Sequence, residues 1–280
     1  MTFRTFPQVA HLIQVAIEED VGRGDVTTDA TIPTHAVAHA RLAAKEEVVV
    51  AGLEVFNGVF ARLDASIDIK THQEDGDLVS ARAVIADLHG PARALLMGER
   101  VALNFLQRLS GIATLTRRYV NAVQGYKATI IDTRKTTPGW RVLEKYAVRV
   151  GGGKNHRHDL GDGVLIKDNH IVAAGGIRQA IEMARASKHH LLKIEVEVAT
   201  LEQVEEAVRA GAEVIMLDNM PPGMMAQAVT QIGGRAIVEA SGGVSLESVV
   251  EIARAGVDLI SVGKLTHSAP AADIHLKFVD

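Results

Sequence analysis

The sequence predicts an α/β protein with two parts, an antiparallel sheet accompanied by helices and then a short or incomplete α/β barrel. Residues 36–87 alternate polar and apolar side chains and are rich in β-branched residues, which is typical of antiparallel strands. From residue 128 onward, short apolar runs alternate with amphipathic segments, several of which are followed by glycine. Strand–helix alternation of this kind predicts a parallel sheet with right-handed helical crossovers.

The N-terminal part begins with a predicted helix over residues 1–21, where apolar side chains such as Phe6, Val9 and Leu12 recur at helical spacing. A turn-rich segment follows at 22–29, and the strands of 36–87 come next. A second, longer helix is predicted at 91–124. We therefore expect an antiparallel sheet packed against one or two helices.

The C-terminal part contains six strand-like runs, at 128–132, 164–167, 191–198, 214–217, 236–240 and 259–263. Helix-like runs lie between them at 177–186, 200–212, 224–232 and 245–256, with Thr200 and Ser245 where helix N-caps belong. Because only six or seven strands are evident, an incomplete barrel is expected and not a regular eightfold one. The last segment, 273–280, is expected to return and pack on the first domain.

The composition excludes several kinds of chemistry. The chain of 280 residues contains no cysteine, which rules out disulfides, thiolate nucleophiles and zinc–thiolate sites. A net charge of −4 argues against a nucleic-acid binder. No apolar run approaches the ~20 residues of a membrane-spanning helix, and no export signal is readable, so the sequence predicts a cytoplasmic protein. Catalysis is left to Lys, Arg, His, carboxylates and hydroxyls.

Polar residues stand at or just beyond the C-terminal ends of the strand-like runs, which is the edge where α/β barrels form their active sites. They are Asp132, Lys167, Glu197, Asp218, Ser241 and Gly263. Glu195 and Glu197 are two residues apart on one strand, so their side chains point the same way.

The densest chemical signal is the basic segment 132–170. Eight Lys and Arg residues but only three acidic residues lie from Arg134 to Lys167, and three glycines interrupt them at 151–153. Arg provides planar forks for carboxylates and Lys provides point charges, so the segment suits a ligand with several carboxylates or phosphates. The competing interpretation is a solvated basic loop. The shaped Thr-Pro-Gly turn and the triple glycine favour a ligand site.

Two glycine-containing segments directly follow late strands, Ser241-Gly242-Gly243 and Val262-Gly263-Lys264. Loops in this position often bind phosphate through backbone N–H groups, although the glycines could simply turn the chain. Glu197 and Asp218 end neighbouring strands and could hold Mg²⁺ together with a diphosphate, or could form salt bridges with Lys167 and Lys193. His156 and His158 flank Arg157 and suit an anionic ligand better than a metal.

Three long motifs, DTRKTTPG at 132–139, GGGKNHR at 151–157 and LIKDNH at 165–170, together resemble the quinolinate phosphoribosyltransferase family. EVEV at 195–198, LDN at 217–219, EASGG at 239–243 and SVGKLTHS at 261–268 follow in the family's order. EDVGRGDVTT at 19–28 and GERVALNFLQRLSGIAT at 98–114 resemble its N-terminal signatures. The resemblance covers nearly the whole chain. Lys264 departs from it, since a small residue is expected there in many relatives.

The resemblance implies an α/β sandwich domain at 1–112, joined by the tail 268–280, and an open α/β barrel of about seven strands at 113–267. It also implies a homodimer or higher assembly with shared active sites, into which Arg100 would reach from the neighbouring subunit. Glu197 and Asp218 would handle the ribose hydroxyls and Mg²⁺, and together with Lys135 and Lys167 they are the expected catalytic residues. The quinolinate pocket would be lined by Thr133, Arg134, Lys135, His156, Arg157 and Lys167. The 5′-phosphate would be held by Ser241, Gly242, Gly243, Val262, Gly263 and Lys264.

The expected reaction converts quinolinate and phosphoribosyl pyrophosphate to nicotinate mononucleotide, pyrophosphate and CO₂, a pentosyl transfer in NAD biosynthesis. Substrate-bound Mg²⁺ is expected, and no organic cofactor. Three competing functions stay open at this point. They are a Schiff-base aldolase that uses Lys167, a molybdenum-transport-associated relative with another substrate, and a non-catalytic metabolite-binding sensor.

Overall fold

The computed structural model describes residues 7–279. Its helices are α1 Pro7–Val21, α2 Val26–Thr31, α3 Leu53–Leu63, α4 Ala92–Ala122, α5 Arg141–Val150, α6 Asp168–Ala174, α7 Ile177–Ser187, α8 Leu201–Arg209, α9 Pro222–Ile232, α10 Val249–Arg254 and α11 Lys264–His267. Its strands are β1 Val37–Ala44, β2 Val48–Val49, β3 Asp68–Thr71, β4 Leu78–Val79, β5 Val84–Pro91, β6 Thr129–Ile131, β7 Val164–Ile166, β8 Ile194–Val198, β9 Val214–Asp218, β10 Ile237–Ser241, β11 Leu259–Ser261 and β12 Ile274–Val279.

The chain divides into two compact units. The first comprises the chain up to Leu115, then 137–151, and the chain from Ser268 onward. The second comprises 116–136 and 152–267. The sequence had assigned all of 113–267 to the barrel, whereas 137–151 groups with the first unit.

The first unit is built on a four-stranded antiparallel sheet with the strand order β12-β1-β5-β3. The C-terminal strand β12 pairs along β1, where Ala44 lies opposite Ile274. Helix α3 buries Phe56, Val59 and Phe60 completely, which is the 3–4 spacing of a helix with one core-facing side. The antiparallel sheet and the long helix α4 confirm the predicted organisation of this part.

Segment 137–151 belongs to the first unit because its helix α5 is tied there by buried polar contacts. The carboxylate of Glu144 is fully buried and accepts a hydrogen bond from Arg108 Nη2 at 2.8 Å and another from the Thr137 N–H at 3.0 Å. Tyr146 donates its hydroxyl to Asp75 Oδ2 at 2.6 Å. Sequence reasoning treated this region as a shaped loop and missed the helix.

The second unit is built on a six-stranded parallel sheet with the order β6-β11-β10-β9-β8-β7. Each of the six predicted strand-like runs contains one of these strands, and each predicted helix-like run contains a helix. An isolated parallel bridge between Ile131 and Lys154 adds a seventh position beside β6. The prediction of a parallel α/β sheet with incomplete barrel character is confirmed.

The strand register arranges the polar side chains in rows. Glu197 and Glu239 both pair with Met216. Asp218 and Ser241 pair with each other two residues closer to the C-terminal edge of the sheet. Since successive side chains of a strand point to opposite faces, Glu195, Glu197, Asp218, Glu239 and Ser241 share one face of the sheet. The sheet therefore directs its carboxylates to one side.

Helix ends in this unit are set by local capping. Thr200 caps α8, as predicted, by accepting the N–H of Gln203 at 3.3 Å. The prediction that Ser245 begins a helix is wrong, because α10 starts at Val249. Ser245 and Ser248 instead form their own turn, in which the Ser245 N–H donates to Ser248 Oγ at 3.0 Å. Within residues 7–279, no helix has the length and apolar character needed to cross a membrane.

Candidate active site

A close ion pair of the second unit lies at the ends of β7 and β8. Lys167 directly follows β7, and its Nζ lies 2.9 Å from Glu197 Oε2. The main-chain N–H of Lys167 donates to His170 Nδ1 at 2.9 Å, which fixes the start of α6. Glu197 therefore forms the salt bridge with Lys167 that the sequence allowed.

Asp218 and Asn219 form a tight corner at the end of β9. Asn219 has a left-handed backbone with φ 53°, and its Nδ2 donates to Asp218 Oδ2 at 2.8 Å. The Asn219 N–H donates to the Ser241 carbonyl at 3.0 Å. Gly242 has φ 92°, and a Cβ there would lie 2.2 Å from Asn219 Oδ1. The predicted phosphate loop after β10 thus needs glycine in order to pack against the corner that orients Asp218.

The turn after β6 meets the loop after β11. The Lys135 N–H donates to Thr133 Oγ1 at 3.0 Å, and the Lys135 carbonyl accepts from Thr266 Oγ1 at 2.7 Å. A Cβ on Gly263 would lie 3.1 Å from Lys135 Cδ, so the stem of this lysine runs against the glycine. Lys135 and the predicted second phosphate loop are therefore brought together.

The segment Asn155–Arg157 is held by Asp132 at the end of β6. Asp132 is fully buried and accepts from Asn155 Nδ2 at 2.6 Å and from the His156 N–H at 2.9 Å. Arg157 donates its Nη1 to the Gly163 carbonyl at 3.0 Å. Burial, and then the nearby charge of Arg134, lower the pKa of Arg157, which Glu195 partly counters. Arg134 and Arg157 are therefore close enough to interact electrostatically, as two arginines of one anion pocket would be.

A buried cluster that sequence reasoning missed joins His156, Glu195 and Glu239. One nitrogen or oxygen of each side chain lies within 4.8 Å of the others, and within the described residues this is the group of at least three such side chains compact enough to hold a metal ion. His156 Nε2 lies 3.1 Å from Glu195 Oε2. Burial, and then the charge of Glu195, raise the pKa of Glu239 well above its ordinary value. The available signal was a glutamate inside an otherwise apolar buried strand, AIVEA.

The carboxylates of Glu197 and Asp218 are suited to supplying a few of the ligands of a magnesium ion. Both offer hard oxygen donors, which suits Mg²⁺. One oxygen of each is engaged, by Lys167 and by Asn219 respectively. The donor atoms of the two side chains are therefore chemically compatible with Mg²⁺.

The remaining predicted residues are distributed as follows. Arg100 is exposed on the part of α4 that belongs to the first unit. Val262 is buried after β11, and Lys264 is exposed at the start of α11. A cavity of about 370 Å³ is lined by Asn155, His156, Arg157 and Glu195, among others. A cavity of about 740 Å³ lies wholly within the first unit, between α1, α3 and β3, and contains none of the predicted site residues.

Basic side chains, two acidic strand ends and two glycine loops at the C-terminal edge of a parallel sheet define a class, the α/β proteins that bind small polyanionic substrates. Comparison with known proteins makes this specific. Residues 25–110 match the family model for the quinolinate phosphoribosyl transferase N-terminal domain, and residues 112–277 match the model for the C-terminal domain. The chain belongs to the quinolinate phosphoribosyltransferase family.

Individual relatives agree in sequence and fold. The chain is 47% identical over 269 residues to a probable nicotinate-nucleotide pyrophosphorylase [carboxylating] of Bacillus subtilis (strain 168), covering 96% of this chain and 93% of that protein. It is 43% identical over 285 residues to a quinolinate phosphoribosyltransferase [decarboxylating] 1b of Nicotiana tabacum, covering 95% and 81%. A crystal structure of NadC from Streptococcus pyogenes superposes with a TM-score of 0.93 at 43% identity, covering 98% of both chains.

Proposed function

We propose that this chain is a quinolinate phosphoribosyltransferase (nicotinate-nucleotide pyrophosphorylase, carboxylating). It would convert quinolinate and phosphoribosyl pyrophosphate to nicotinate mononucleotide, pyrophosphate and CO₂ in de novo NAD biosynthesis. The observation that carries the proposal is the ion pair of Lys167 with Glu197, 2.9 Å apart at the C-terminal edge of the sheet. In this proposal, the Lys167 side chain is the cation that binds the dicarboxylate, and the neighbouring Glu197 carboxylate binds the ribose.

The dicarboxylate is assigned to the basic side chains at the ends of β6 and β7. Two polyanions must share one site, and cations offset their repulsion. Each charged hydrogen bond contributes about 1.5–3 kcal/mol. Burial and the nearby charge of Arg134 lower the pKa of Arg157, so an anion bound between these two cations would be stabilised by both. The proposed pocket consists of Thr133, Arg134, Lys135, His156, Arg157 and Lys167.

The phosphoribosyl substrate is assigned to the ends of β8 to β11. Glu197 and Asp218 would bind the ribose hydroxyls and the Mg²⁺ that arrives with the diphosphate. Backbone N–H groups of the two glycine loops are suited to the 5′-phosphate. Lys264, exposed beside Gly263, adds a positive charge to that loop. The proposed phosphate-binding residues are Ser241, Gly242, Gly243, Val262, Gly263 and Lys264.

The reaction follows from charge placement. The bond from ribose C1 to the diphosphate oxygen breaks, the diphosphate leaves with the electron pair, and the ribosyl centre becomes positive. Carboxylates such as Glu197 stabilise that charge. The pyridine nitrogen donates its lone pair to C1 and becomes positive itself. As CO₂ leaves, the electron pair of the bond to the 2-carboxylate stays on that ring carbon, where the neighbouring positive nitrogen stabilises it. This pair then binds a proton, and the pyridinium nitrogen keeps its positive charge in the product.

Lys135 and Lys167 act in this scheme by charge and position. An ammonium group paired with a carboxylate, as Lys167 is with Glu197, is not the neutral amine that a Schiff-base aldolase requires. Nothing in residues 7–279 favours a molybdenum-transport-associated relative or a non-catalytic sensor over the transferase.

The test is release of CO₂ from carboxyl-labelled quinolinate by the purified protein. We expect release to require both phosphoribosyl pyrophosphate and Mg²⁺ and to need no added organic cofactor. If the folded protein releases no label under these conditions, the proposed function is wrong.

We further propose a homodimer with shared active sites, in which Arg100 serves the neighbouring subunit. Exposed apolar side chains are typical of interfaces, and here Leu160, Val172, Met183 and Leu191 are each more than 60% exposed. Mixing inactive Arg100→Ala with inactive Lys167→Ala subunits should restore partial activity. If heterodimers stay inactive, Arg100 does not act in trans. Phosphorylated substrates do not cross membranes unaided, so we propose a cytoplasmic location, which cell fractionation would check.

A further inference from the structure

The cluster of His156, Glu195 and Glu239 lies directly beneath the proposed site. Glu239 is in the same residue row as Glu197, because both pair with Met216, and Glu195 lies one row deeper. The Glu239 side chain is 1% exposed and the Glu195 side chain 10%. Glu239 Oε2 lies 3.7 Å from His156 Nε2. None of the steps of the proposed reaction uses Glu239.

The cluster can be stable only if one of its carboxyls is neutral. Two buried carboxylates this close cannot both be ionised at moderate cost. Oε1 of Glu195 and Oε1 of Glu239 are both buried and lack a hydrogen-bond partner in the described structure, which two full charges would not tolerate. Burial and then the Glu195 charge raise the pKa of Glu239. Glu239 is therefore the carboxyl group of the pair that holds the proton.

A set of close polar contacts leads from this acid to the proposed pocket, beginning with the 3.7 Å between Glu239 Oε2 and His156 Nε2. Glu195 accepts from His156 Nε2 at 3.1 Å, and His156 Nδ1 accepts the main-chain N–H of Arg157 at 2.6 Å. These partners assign the imidazole proton to Nε2. Both ring nitrogens are thus used within the protein, and the ring anchors the backbone from which the Arg157 guanidinium extends.

We infer that Glu239 is a positioning residue of the dicarboxylate pocket, which with Glu195 fixes the His156 ring and, through it, Arg157. The inference rests on the proposed function, since quinolinate is the ligand there assigned to Arg157. Glu239 acts through other side chains and does not touch the substrate. Its loss should therefore weaken binding of the dicarboxylate more than binding of phosphoribosyl pyrophosphate or the chemical steps.

The test compares Glu239→Ala, Glu239→Gln and Leu259→Ala. Leu259 pairs with Glu239 across β10 and β11, so its truncation perturbs the same sheet row without removing a cluster member. We expect Glu239→Ala to raise the KM for quinolinate about 10- to 100-fold, which corresponds to the loss of about one charged hydrogen bond. The KM for phosphoribosyl pyrophosphate and kcat should change less than about threefold. Glu239→Gln keeps a neutral hydrogen-bond donor, so its KM for quinolinate should stay near that of the wild type. In Leu259→Ala, the ratio of the two KM values should stay near the wild-type ratio.

Three kinetic outcomes would overturn the inference. They are equal changes in both KM values for Glu239→Ala, a Glu239→Gln variant as impaired as the alanine variant, and the same KM split in Leu259→Ala. A stoichiometric metal ion retained by dialysed wild type and lost in Glu239→Gln would also overturn it, since the cluster would then be a cation site. Should Glu239→Ala fail to fold, Glu239→Leu takes its place because it fills the volume.

Failure of the proposed function is separately visible. It would appear as a folded wild type that releases no CO₂. Equilibrium dialysis with labelled quinolinate then decides the inference without turnover. The positioning role predicts weaker retention by Glu239→Ala than by Glu239→Gln, and equal retention would refute it.

Discussion

Substituting Gly242 by alanine tests whether the loop after β10 and the Asp218 corner form one unit. The new methyl group would lie 2.2 Å from Asn219 Oδ1 and 2.9 Å from the Asn219 main-chain nitrogen, so Asn219 must move. Neighbouring Gly243 is a matched control, because it also has a positive φ, of 59°, but a Cβ there meets nothing within 4 Å. Because the φ of 92° at Gly242 is also less favourable for alanine than the 59° at Gly243, the contact with Asn219 is the part of the difference that a change at Asn219 relieves.

The expected magnitudes follow from these contacts. A left-handed alanine costs about 1–2 kcal/mol of unfolding free energy, and both variants share this loss. Gly242→Ala should lose about another 0.5–1.5 kcal/mol as Asn219 gives up its hydrogen bond to Asp218. If the displaced backbone also loses one hydrogen bond to a phosphate, the KM for phosphoribosyl pyrophosphate rises about 10- to 150-fold. Gly243→Ala should raise this KM much less.

The assays are denaturant unfolding and steady-state kinetics with each substrate varied in turn. A double variant sharpens them, since Asn219→Gly removes the obstructing side chain and tolerates the local φ of 53°. Gly242→Ala combined with Asn219→Gly should recover stability relative to the sum of the single changes. Identical behaviour of Gly242→Ala and Gly243→Ala in both assays would refute the proposed coupling.

Three further predictions concern charge. Lys167→Ala should lower kcat/KM about 100- to 1,000-fold, the usual loss for one electrostatic group, whereas Lys193→Ala should leave kcat/KM unchanged. If the two variants have the same kcat/KM, Lys167 does not belong to the site. The raised pKa of Glu239 makes the folded state hold a proton that the unfolded state releases, so its contribution to stability is complete below the unfolded pKa and declines as pH rises through the folded pKa. The unfolding free energy of Glu239→Gln, relative to wild type, should therefore increase from about pH 5 to about pH 8, and a constant difference would contradict this. Glu144→Ala should cost about 3 kcal/mol because it removes a fully buried carboxylate that accepts hydrogen bonds from Arg108 and Thr137, whereas Glu182→Ala, from an exposed pair at 4.0 Å, should change unfolding by less than about 0.5 kcal/mol.

The parallel sheet and its active edge were predictable because both leave local signals. A buried parallel strand is a short apolar run, and a polar residue at its end stands out, as Lys167 and Asp218 do. Helix α5 was missed although Leu143, Ala147 and Val148 have helical spacing and are fully buried. Its many charged and glycine neighbours matched a loop equally well. The contacts that hold it, from Glu144 to Arg108 and from Tyr146 to Asp75, are far apart in sequence and leave no local pattern.

The carboxylate contacts were unpredictable for a related reason. Alternation along β8 shows that Glu195 and Glu197 share a face, but only the register between strands reveals their partners. The register brings Glu239 level with Glu197, and the segment between α5 and β7, held by Asp132, brings His156 close to Glu239. The left-handed conformation of Asn219 cannot be predicted from the sequence either, because asparagine tolerates this conformation but does not require it.

The two glutamates of β8 illustrate how one strand supplies a structural charge and a chemical one. Glu197 is closer to the C-terminal edge and pairs with an exposed lysine, so in the proposed reaction its carboxylate can face a substrate that carries a positive centre. Glu195, two residues deeper, lies 3.1 Å from His156 Nε2 and belongs to the buried cluster with Glu239. If the surroundings of the two side chains were exchanged, a carboxylate without a partner would be buried at a high cost in free energy, and a neutral carboxylic acid in the exposed position would ionise. In the proposed reaction, depth along the strand therefore separates the carboxylate that faces the substrate from the one that holds His156 in place.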